Sequence, residues 1–200
     1  MKALRIFVGI CCLPALLTSC GGESIDTCGG KEPKPLNYSV THYDATLVRY
    51  PQAIDEQSVL QVPTPLSVNQ AVEWNAFSLE VVGKWQYYSS LDWPKLSLFE
   101  QALACSPAEH SLQKLTKISI TSAHNYSDKY LAGAELAPLF AMLYARGSLA
   151  GLSGVDAPKE LKLKLLEAPQ YANQNFEIQI SLSDGNVYIL KTGDVYFTLP

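Results

Sequence analysis

The segment NFEIQISLSDG, residues 175–185, most narrows the folds open to this chain. Apolar residues occupy every second position from Phe176 to Leu182, and this alternation of period two predicts a strand with one buried face. Asp184-Gly185 predicts a tight turn, because glycine tolerates the positive φ that hairpin turns require. The chain then returns over residues 187–191 and continues over 195–199, so we expect hairpin-linked strands at the C-terminus.

A second alternating segment, FSLEVVGKWQYYS, predicts another half-buried strand at residues 77–89. Trp85 has the same parity as Phe77 and Leu79, so its indole is assigned to the core. Shorter patterns predict strands at 40–49, 117–121 and 161–165.

Helical signals are few. The capping-box pattern S-x-x-E at residues 97–100 and 106–109 marks two short helices, and Pro138 to Ala145 predicts two turns of a third. Many spaced strands and few helices predict a mainly β fold. We expect one domain over residues 37–200, an antiparallel β-sandwich of immunoglobulin-like character with one to three short helices.

The first twenty residues, MKALRIFVGICCLPALLTSC, have the layout of a secretory signal. Lys2 and Arg5 form a positive start, and residues 6–17 form an apolar core of about 12 residues. A transmembrane helix needs about 20 apolar residues, and Pro14 interrupts this shorter run.

The signal ends in Leu17-Thr18-Ser19-Cys20, followed by Gly21-Gly22. These residues resemble the lipobox of bacterial lipoproteins, in which small residues precede a cysteine. The resemblance implies cleavage of residues 1–19, a diacylglycerol on the Cys20 thiol and acylation of the new amino group. Such a chain would be anchored to a membrane without spanning it. An ordinary cleaved signal and an uncleaved anchor are the alternatives.

Residues 20–36, rich in Gly, Pro and charge, predict a flexible tether after the lipidated cysteine. A coil of this length has an end-to-end distance of about 20 to 25 Å. In the familiar lipoprotein sorting rule an aspartate after the cysteine retains the protein on the inner membrane. Gly21 holds that position here, so the resemblance implies an outer-membrane lipoprotein of the cell envelope, on either face.

Cys28 and Cys105 remain once Cys11 and Cys12 leave with the signal and Cys20 carries lipid. An even pair in an oxidising compartment favours one disulfide, and two separate thiols are the alternative.

A second, looser resemblance covers about a third of the mature chain. The strand Ile118 to Ser122, the pair Asn125-Tyr126 and the segment Ala132 to Phe140 are similar to a pattern in uncharacterised Gram-negative lipoproteins of about this size. The resemblance implies a class of protein and no activity.

Charge and motifs narrow the function further. Loss of Lys2 and Arg5 lowers the formal net charge from −4 to −6, which argues against nucleic acid as a partner. The sequence has no G-x-S-x-G, P-loop, G-x-G-x-x-G or C-x-x-C motif. We therefore expect a protein that is not an enzyme and needs no cofactor.

His42 and Asp44 are the best candidate metal ligands, because residues two apart on a strand share a face. A zinc site needs three or four ligands, so we interpret these two residues as the solvent face of their strand, opposite Tyr43. His124 and Asp128 are interpreted as part of a polar turn, and His110 as part of a short exposed helix.

Aromatic residues offer a different kind of site. Trp74 and Trp93 flank predicted strands, and either can form a stacking platform for a glycan with Tyr87 or Tyr88, or pack in the core or a turn. The leading hypothesis is a non-catalytic binding or structural module whose partner is an envelope protein or a glycan. The alternatives are a glycan-binding accessory lipoprotein and a metal-dependent enzyme built around His42 and Asp44.

Overall fold

The computed structural model describes residues 35–55, 61–67, 70–88, 107–143 and 149–199. Outside the described residues lie the predicted signal peptide, Cys20 and the tether up to residue 34, Cys28, Cys105, Trp93 and the capping box at 97–100. The interpretations of those residues stay predictions.

The first sheet is built on two long antiparallel strands, β1 (Leu36–Arg49) and β4 (Phe77–Tyr88). Beyond β4 lie β8 (Glu160–Leu165) and then β7 (Phe140–Met142), both antiparallel to their neighbours. Two short strands flank β1 at its opposite ends: β2 (Thr64–Pro65) pairs near Arg49, and β5 (Glu109–Ser111) pairs in parallel from Leu36 to Tyr38.

The second sheet has the strand order β11-β10-β6 and is antiparallel throughout. Its strands are β6 (Leu115–Thr121), β10 (Glu177–Leu182) and β11 (Val187–Lys191). Gly185 has a φ of +87° in the turn between β10 and β11, so the predicted Asp184-Gly185 hairpin is confirmed.

A small third sheet places β12 (Val195–Thr198) between β9 (Asn173–Gln174) and β3 (Ala71–Glu73). The helical structure in the described residues is confined to 3-10 turns, at Trp74–Ala76, Ala137–Leu139 and Leu149–Leu152. The prediction of a mainly β, antiparallel, sandwich-like fold with few short helices is therefore confirmed, with two short parallel pairings added.

The core lies where the apolar faces of the three sheets meet. The ring of Phe77 in β4 is fully buried, and its centroid lies 5.8 Å from that of Phe176 and 5.1 Å from that of Phe197. Phe176 precedes β10 and Phe197 belongs to β12, so one side chain joins all three sheets. The leucines of β8 alternate with lysines as predicted, and all three leucines are buried.

A bulge interrupts the pairing of β1 with β4. Val40 pairs with Trp85 and His42 with Lys84, so Thr41 is an extra residue. The buried amide of Gln113 accepts a hydrogen bond from the Val40 N–H (2.7 Å) and donates one to the Val40 carbonyl (3.3 Å). The same Nε2 donates to Asp184 Oδ2 (2.6 Å), so Gln113 also ties the β10–β11 turn to the first sheet.

Two helix predictions are wrong because tertiary pairing overrides local signals. Glu109 begins β5, whose strand hydrogen-bonds the start of β1, so the capping box at residues 106–109 opens no helix. In the segment 138–145 a 3-10 turn ends at Leu139, and Phe140 enters β7 with its buried ring 5.5 Å from Phe176. Burial of that ring favours the extended conformation.

The prediction of hairpin-linked strands at the C-terminus is correct for β10 and β11 and wrong for the next connection. β12 pairs with β3 and β9 and not with β11, so the chain changes sheet over residues 192–194. Among the helices of the described residues, none has the length and apolar character needed to cross a bilayer.

Candidate functional site

Trp85 and Tyr87 are exposed although they lie on the apolar parity of β4. The exposed fraction of Trp85 is 40% and that of Tyr87 is 43%, so the assignment of Trp85 to the core is wrong. Phe77, Leu79 and Val81 on the same parity are completely buried. The strand therefore continues past the end of the core, and its last inward-facing aromatic rings reach solvent.

Along β4, burial ends at Gly83, although Tyr38 and Val40 of the neighbouring β1 remain buried beyond that point. A Cβ on Gly83 would lie 3.1 Å from Tyr43 Cε1 and 3.4 Å from the Lys159 carbonyl oxygen, so the missing side chain lets the segment before β8 pass close to β4. The Gly83 N–H donates to the Lys159 carbonyl at 2.8 Å. The Lys159 side chain of this segment reaches the Trp85 ring.

Two tyrosine hydroxyls hold the same segment. The Tyr38 hydroxyl donates to the Ala157 carbonyl (2.8 Å), and the Tyr43 hydroxyl donates to the Pro158 carbonyl (3.0 Å). With the bond from Gly83, the carbonyls of residues 157, 158 and 159 all accept hydrogen bonds from the first sheet. These bonds hold the Lys159 backbone in place independently of the contacts of its side chain.

The Lys159 side chain contacts the exposed rings of Trp85 and Tyr87 and the buried ring of Tyr38. Its Nζ lies 4.6 Å from the centroid of the Tyr38 ring and 4.5 Å from that of Trp85, within cation–π range. It also lies 2.8 Å from the Tyr87 hydroxyl and forms an ion pair with Glu109 on β5. We call Tyr38, Trp85, Tyr87, Glu109 and Lys159 the aromatic–lysine cluster.

The charges of this cluster stabilise each other. The hydrogen bonds from Lys159 and then from Tyr87 lower the pKa of the Glu109 carboxyl. Desolvation favours neutral Lys159, but its bonds to Glu109 and Tyr87 outweigh that effect and raise its pKa. Both groups are therefore ionised at neutral pH. This is the opposite of a nucleophilic lysine, which needs a lowered pKa.

The cluster is chemically suited to contact and not to proton transfer. Exposed indole and phenol rings present flat apolar faces with polar edges, and they are fixed on a strand with few rotatable bonds. The paired Lys159 and Glu109 leave little net charge beside those rings. Such a surface fits a neutral or zwitterionic partner with apolar area.

Trp74, one of the two tryptophans predicted for glycan stacking, does not join this cluster. Trp74 lies in the 3-10 turn before Phe77, at the opposite end of β4, and is partly buried against the core. Trp93 is outside the described residues. Of the four rings predicted for a platform, Tyr87 and Tyr88 are exposed, at 43% and 51%.

His42 and Asp44 lie on the solvent face of β1 as predicted, opposite the buried Tyr43. The His42 Nε2 is 3.1 Å from Asp44 Oδ1, and Lys84 Nζ is 2.8 Å from Asp44 Oδ2. Because a cation already neutralises the carboxylate, the arrangement is a surface charge cluster. Within the described residues no group of three or more His, Cys, Asp or Glu side chains has the geometry of a metal site.

His110 is exposed as predicted but lies on β5, 3.5 Å from Asp156 Oδ2, instead of on a helix. His124 and Asp128 lie in a polar loop, as predicted. The His124 N–H donates to the Ser122 hydroxyl (3.1 Å), and Asp128 accepts a hydrogen bond from Tyr171 (3.0 Å).

That loop contains the middle part of the second resemblance, including Asn125, Tyr126 and Gly133, whereas Ile118 lies in β6 and Phe140 in β7. Asn125 Oδ1 accepts a hydrogen bond from the Ala132 N–H (2.8 Å), and the buried Tyr126 donates its hydroxyl to the Glu167 carbonyl (2.5 Å). Gly133 has a φ of +78° and donates its N–H to the Ser122 carbonyl. These hydrogen bonds hold the loop in place.

A cleft of about 510 Å³ beside β6 is lined mainly by apolar residues, among them Ile118, Pro138 and Leu149. Its carboxylate, Glu135, already accepts hydrogen bonds from the Ser119 hydroxyl and the Ile120 N–H. Glu135 is therefore engaged by the backbone and side chains beside it, while Lys117 and Ser153 also line the cleft.

Sequence reasoning identified Tyr87 but missed Lys159, Glu109 and Tyr38. A signal for the missed residues was present, since Gly83 in the middle of an alternating strand marks a close backbone approach. The identity of the approaching segment depends on pairing between residues more than seventy positions apart, which no local pattern contains. No protein-family model, curated protein or solved structure matches this chain.

Proposed function

We propose that this protein is a lipid-anchored module of the bacterial cell envelope that binds a partner without catalysing a reaction, and that the aromatic–lysine cluster is its binding surface. The observation that carries the binding role is the exposure of Trp85 and Tyr87 on a strand whose surroundings are fixed by hydrogen bonds. Rigid aromatic side chains lose little conformational entropy on binding, so they contribute more of their contact energy to affinity.

The electrostatics support a role without catalysis. Lys159 and Glu109 hold each other in the charged state, so neither has the shifted pKa of a nucleophile or of a general base near neutral pH. The lipid anchor and the outer-membrane location rest on the lipobox resemblance at Leu17 to Cys20 and on Gly21. The acidic composition supports partners other than nucleic acid.

Replacing Cys20 with serine should abolish lipidation. The hydroxyl of serine does not replace the thiol in diacylglyceryl transfer, so incorporation of a labelled fatty acid should fall to background and the precursor should remain uncleaved. The measurement is fatty-acid labelling with the intact mass of the purified protein. Cys28→Ser is the matched control and should retain full label; label that persists in Cys20→Ser would refute the anchor.

A glycan partner is the second candidate, and the exposure of two neighbouring rings favours it. Trp85→Ala should weaken binding to any glycan identified on an array by roughly fivefold or more, because each stacked ring contributes on the order of 1 kcal/mol or more. Tyr88→Ala is the control, since Tyr88 is 51% exposed on the opposite face of the same strand. An array without hits for the wild-type protein would remove this candidate.

A further inference from the structure

Three exposed aromatic residues, Trp85, Tyr87 and Tyr88, lie at the end of the domain where the chain enters from the proposed lipid anchor, whereas the exposed Tyr171 lies in the loop before β9. β1 begins at Leu36, and Tyr38 of the cluster is two residues further along. In the antiparallel register Tyr87 pairs with Tyr38 and Tyr88 with Asn37. Trp85, Tyr87 and Tyr88, which we call the aromatic tip, therefore lie beside the first residues of the domain.

The covalent chain keeps this end near the membrane. The 16 residue steps from Cys20 to Leu36 reach at most about 55 Å, and a coil of that length averages about 20 to 25 Å. From Leu36, β1 runs to Arg49 and places the far end of the domain about 40 Å further away. The aromatic tip thus lies at the end of the first sheet that is nearer to the anchor along the chain.

The chemistry of the aromatic tip matches the bilayer interface. Tryptophan and tyrosine prefer the headgroup layer, because their rings are apolar while their N–H and O–H groups remain hydrated. The Lys159 ammonium lies 4.5 Å from the centroid of the Trp85 ring and is paired with Glu109, so it brings little net charge to the interface. The acidic domain gains no general attraction to anionic lipid, so the expected contact is apolar and insensitive to salt.

We infer that the domain docks on the bilayer that holds its own acyl chains, with Trp85, Tyr87 and Tyr88 inserted in the headgroup layer. This inference rests on the proposed lipid anchor and names the partner of the same surface. The tether keeps the aromatic tip close to the bilayer surface, so their contact is intramolecular and has a high effective concentration. A weak intrinsic affinity for the headgroup layer is therefore sufficient for docking. Docking would place the Leu36 end of β1 near the bilayer and direct its Arg49 end away from it. The far end of the domain would then face the surroundings.

Tryptophan quenching by brominated lipid tests the inference on the full lipidated chain. One variant retains only Trp85 (Trp74→Phe with Trp93→Phe), and the control retains only Trp74 (Trp85→Phe with Trp93→Phe). The strand from Phe77 to Trp85 spans about 25 Å, so the two indoles report on opposite ends of β4. Both are reconstituted in phosphatidylcholine vesicles with bromine near the headgroup end of the acyl chains.

The Trp85 emission should fall at least roughly twofold while the Trp74 emission is unchanged, because only the aromatic tip reaches the interface. The quenching should persist in high salt. Unquenched Trp85 would overturn the inference, and equal quenching of both indoles would overturn the orientation. If a soluble N-acetylglucosamine oligosaccharide shifts the Trp85 emission while bilayer bromine does not quench it, the glycan candidate replaces docking.

Hydrogen exchange on the wild-type lipoprotein gives a second measurement that needs no variant. Amides of residues 85–88 should exchange about tenfold more slowly in vesicles than in detergent monomers, while those near residues 47–49 should not change. Equal rates in vesicles and detergent would contradict docking. Fatty-acid labelling of the same samples separates the outcomes, because a labelled protein without protection disproves docking alone, whereas an unlabelled protein disproves the anchor.

Discussion

Phe77→Ala should lower the free energy of unfolding by about 3 to 5 kcal/mol, the range for a fully buried phenylalanine. The ring is completely buried and lies against Phe176 and Phe197, so its removal leaves a cavity where the three sheets meet. Since 1 kcal/mol corresponds to about 2 to 4 °C in a domain of this size, the melting temperature should fall by roughly 10 °C or more. Denaturant unfolding and thermal melting both measure the change.

Val82→Ala is the matched control for that substitution. Val82 lies on the same strand but is 42% exposed, so truncation should cost less than about 1 kcal/mol. Equal effects of Phe77→Ala and Val82→Ala would show that the three sheets do not share one core around Phe77.

Gln113→Leu should lower the free energy of unfolding by about 2 to 3 kcal/mol, although the two side chains have nearly the same volume. The change removes the acceptor of the Val40 N–H and donors to the Val40 carbonyl and Asp184. A buried N–H without a partner costs about 1 to 3 kcal/mol, and the bulge in β1 leaves this group without a replacement from β4. Gln179→Leu, at an exposed position of β10, should change stability by less than about 0.5 kcal/mol.

The pH dependence of the same variant gives an independent check. The hydrogen bond from Gln113 is the main cause that lowers the pKa of Asp184 below its ordinary value of 3.8. A lowered carboxyl pKa stabilises the folded protein above pH 3.8, and this contribution is lost as the pH falls through the folded-state pKa. The stability gap between wild type and Gln113→Leu should therefore narrow on acidification; a gap that stays constant would mean that Asp184 does not depend on Gln113.

Local sequence patterns were sufficient to predict strands, buried faces and turns wherever the environment of a residue depends on its neighbours in sequence. The alternation in β4, β8 and β10 identified these strands and their buried faces, and Asp184-Gly185 located the hairpin turn. His42 and Asp44 were placed correctly on a solvent face for the same reason. Alternation fixes which side of a strand faces the core, because successive side chains point to opposite faces.

Local patterns failed where distant segments decide the outcome. The capping box ending at Glu109 opens no helix, because pairing with β1 draws that segment into a strand. The parity of Trp85 correctly gave its side of the sheet, yet its burial depends on whether another layer covers that end of β4. An alternating pattern predicts the face of the sheet to which a side chain points, but it does not predict how far the core extends along the strand.

The sequence alone determined that this chain forms one-face-buried strands, and it carries the lipobox pattern from which a lipid anchor is predicted. Only the tertiary structure decided that burial along β4 stops at Gly83, that Lys159 meets Tyr38, Trp85, Tyr87 and Glu109, and that this cluster lies beside the first residues of the domain. The physical reason is that the cluster joins residues up to 121 positions apart through hydrogen bonds and ring contacts. Such contacts form only when the sheets have assembled.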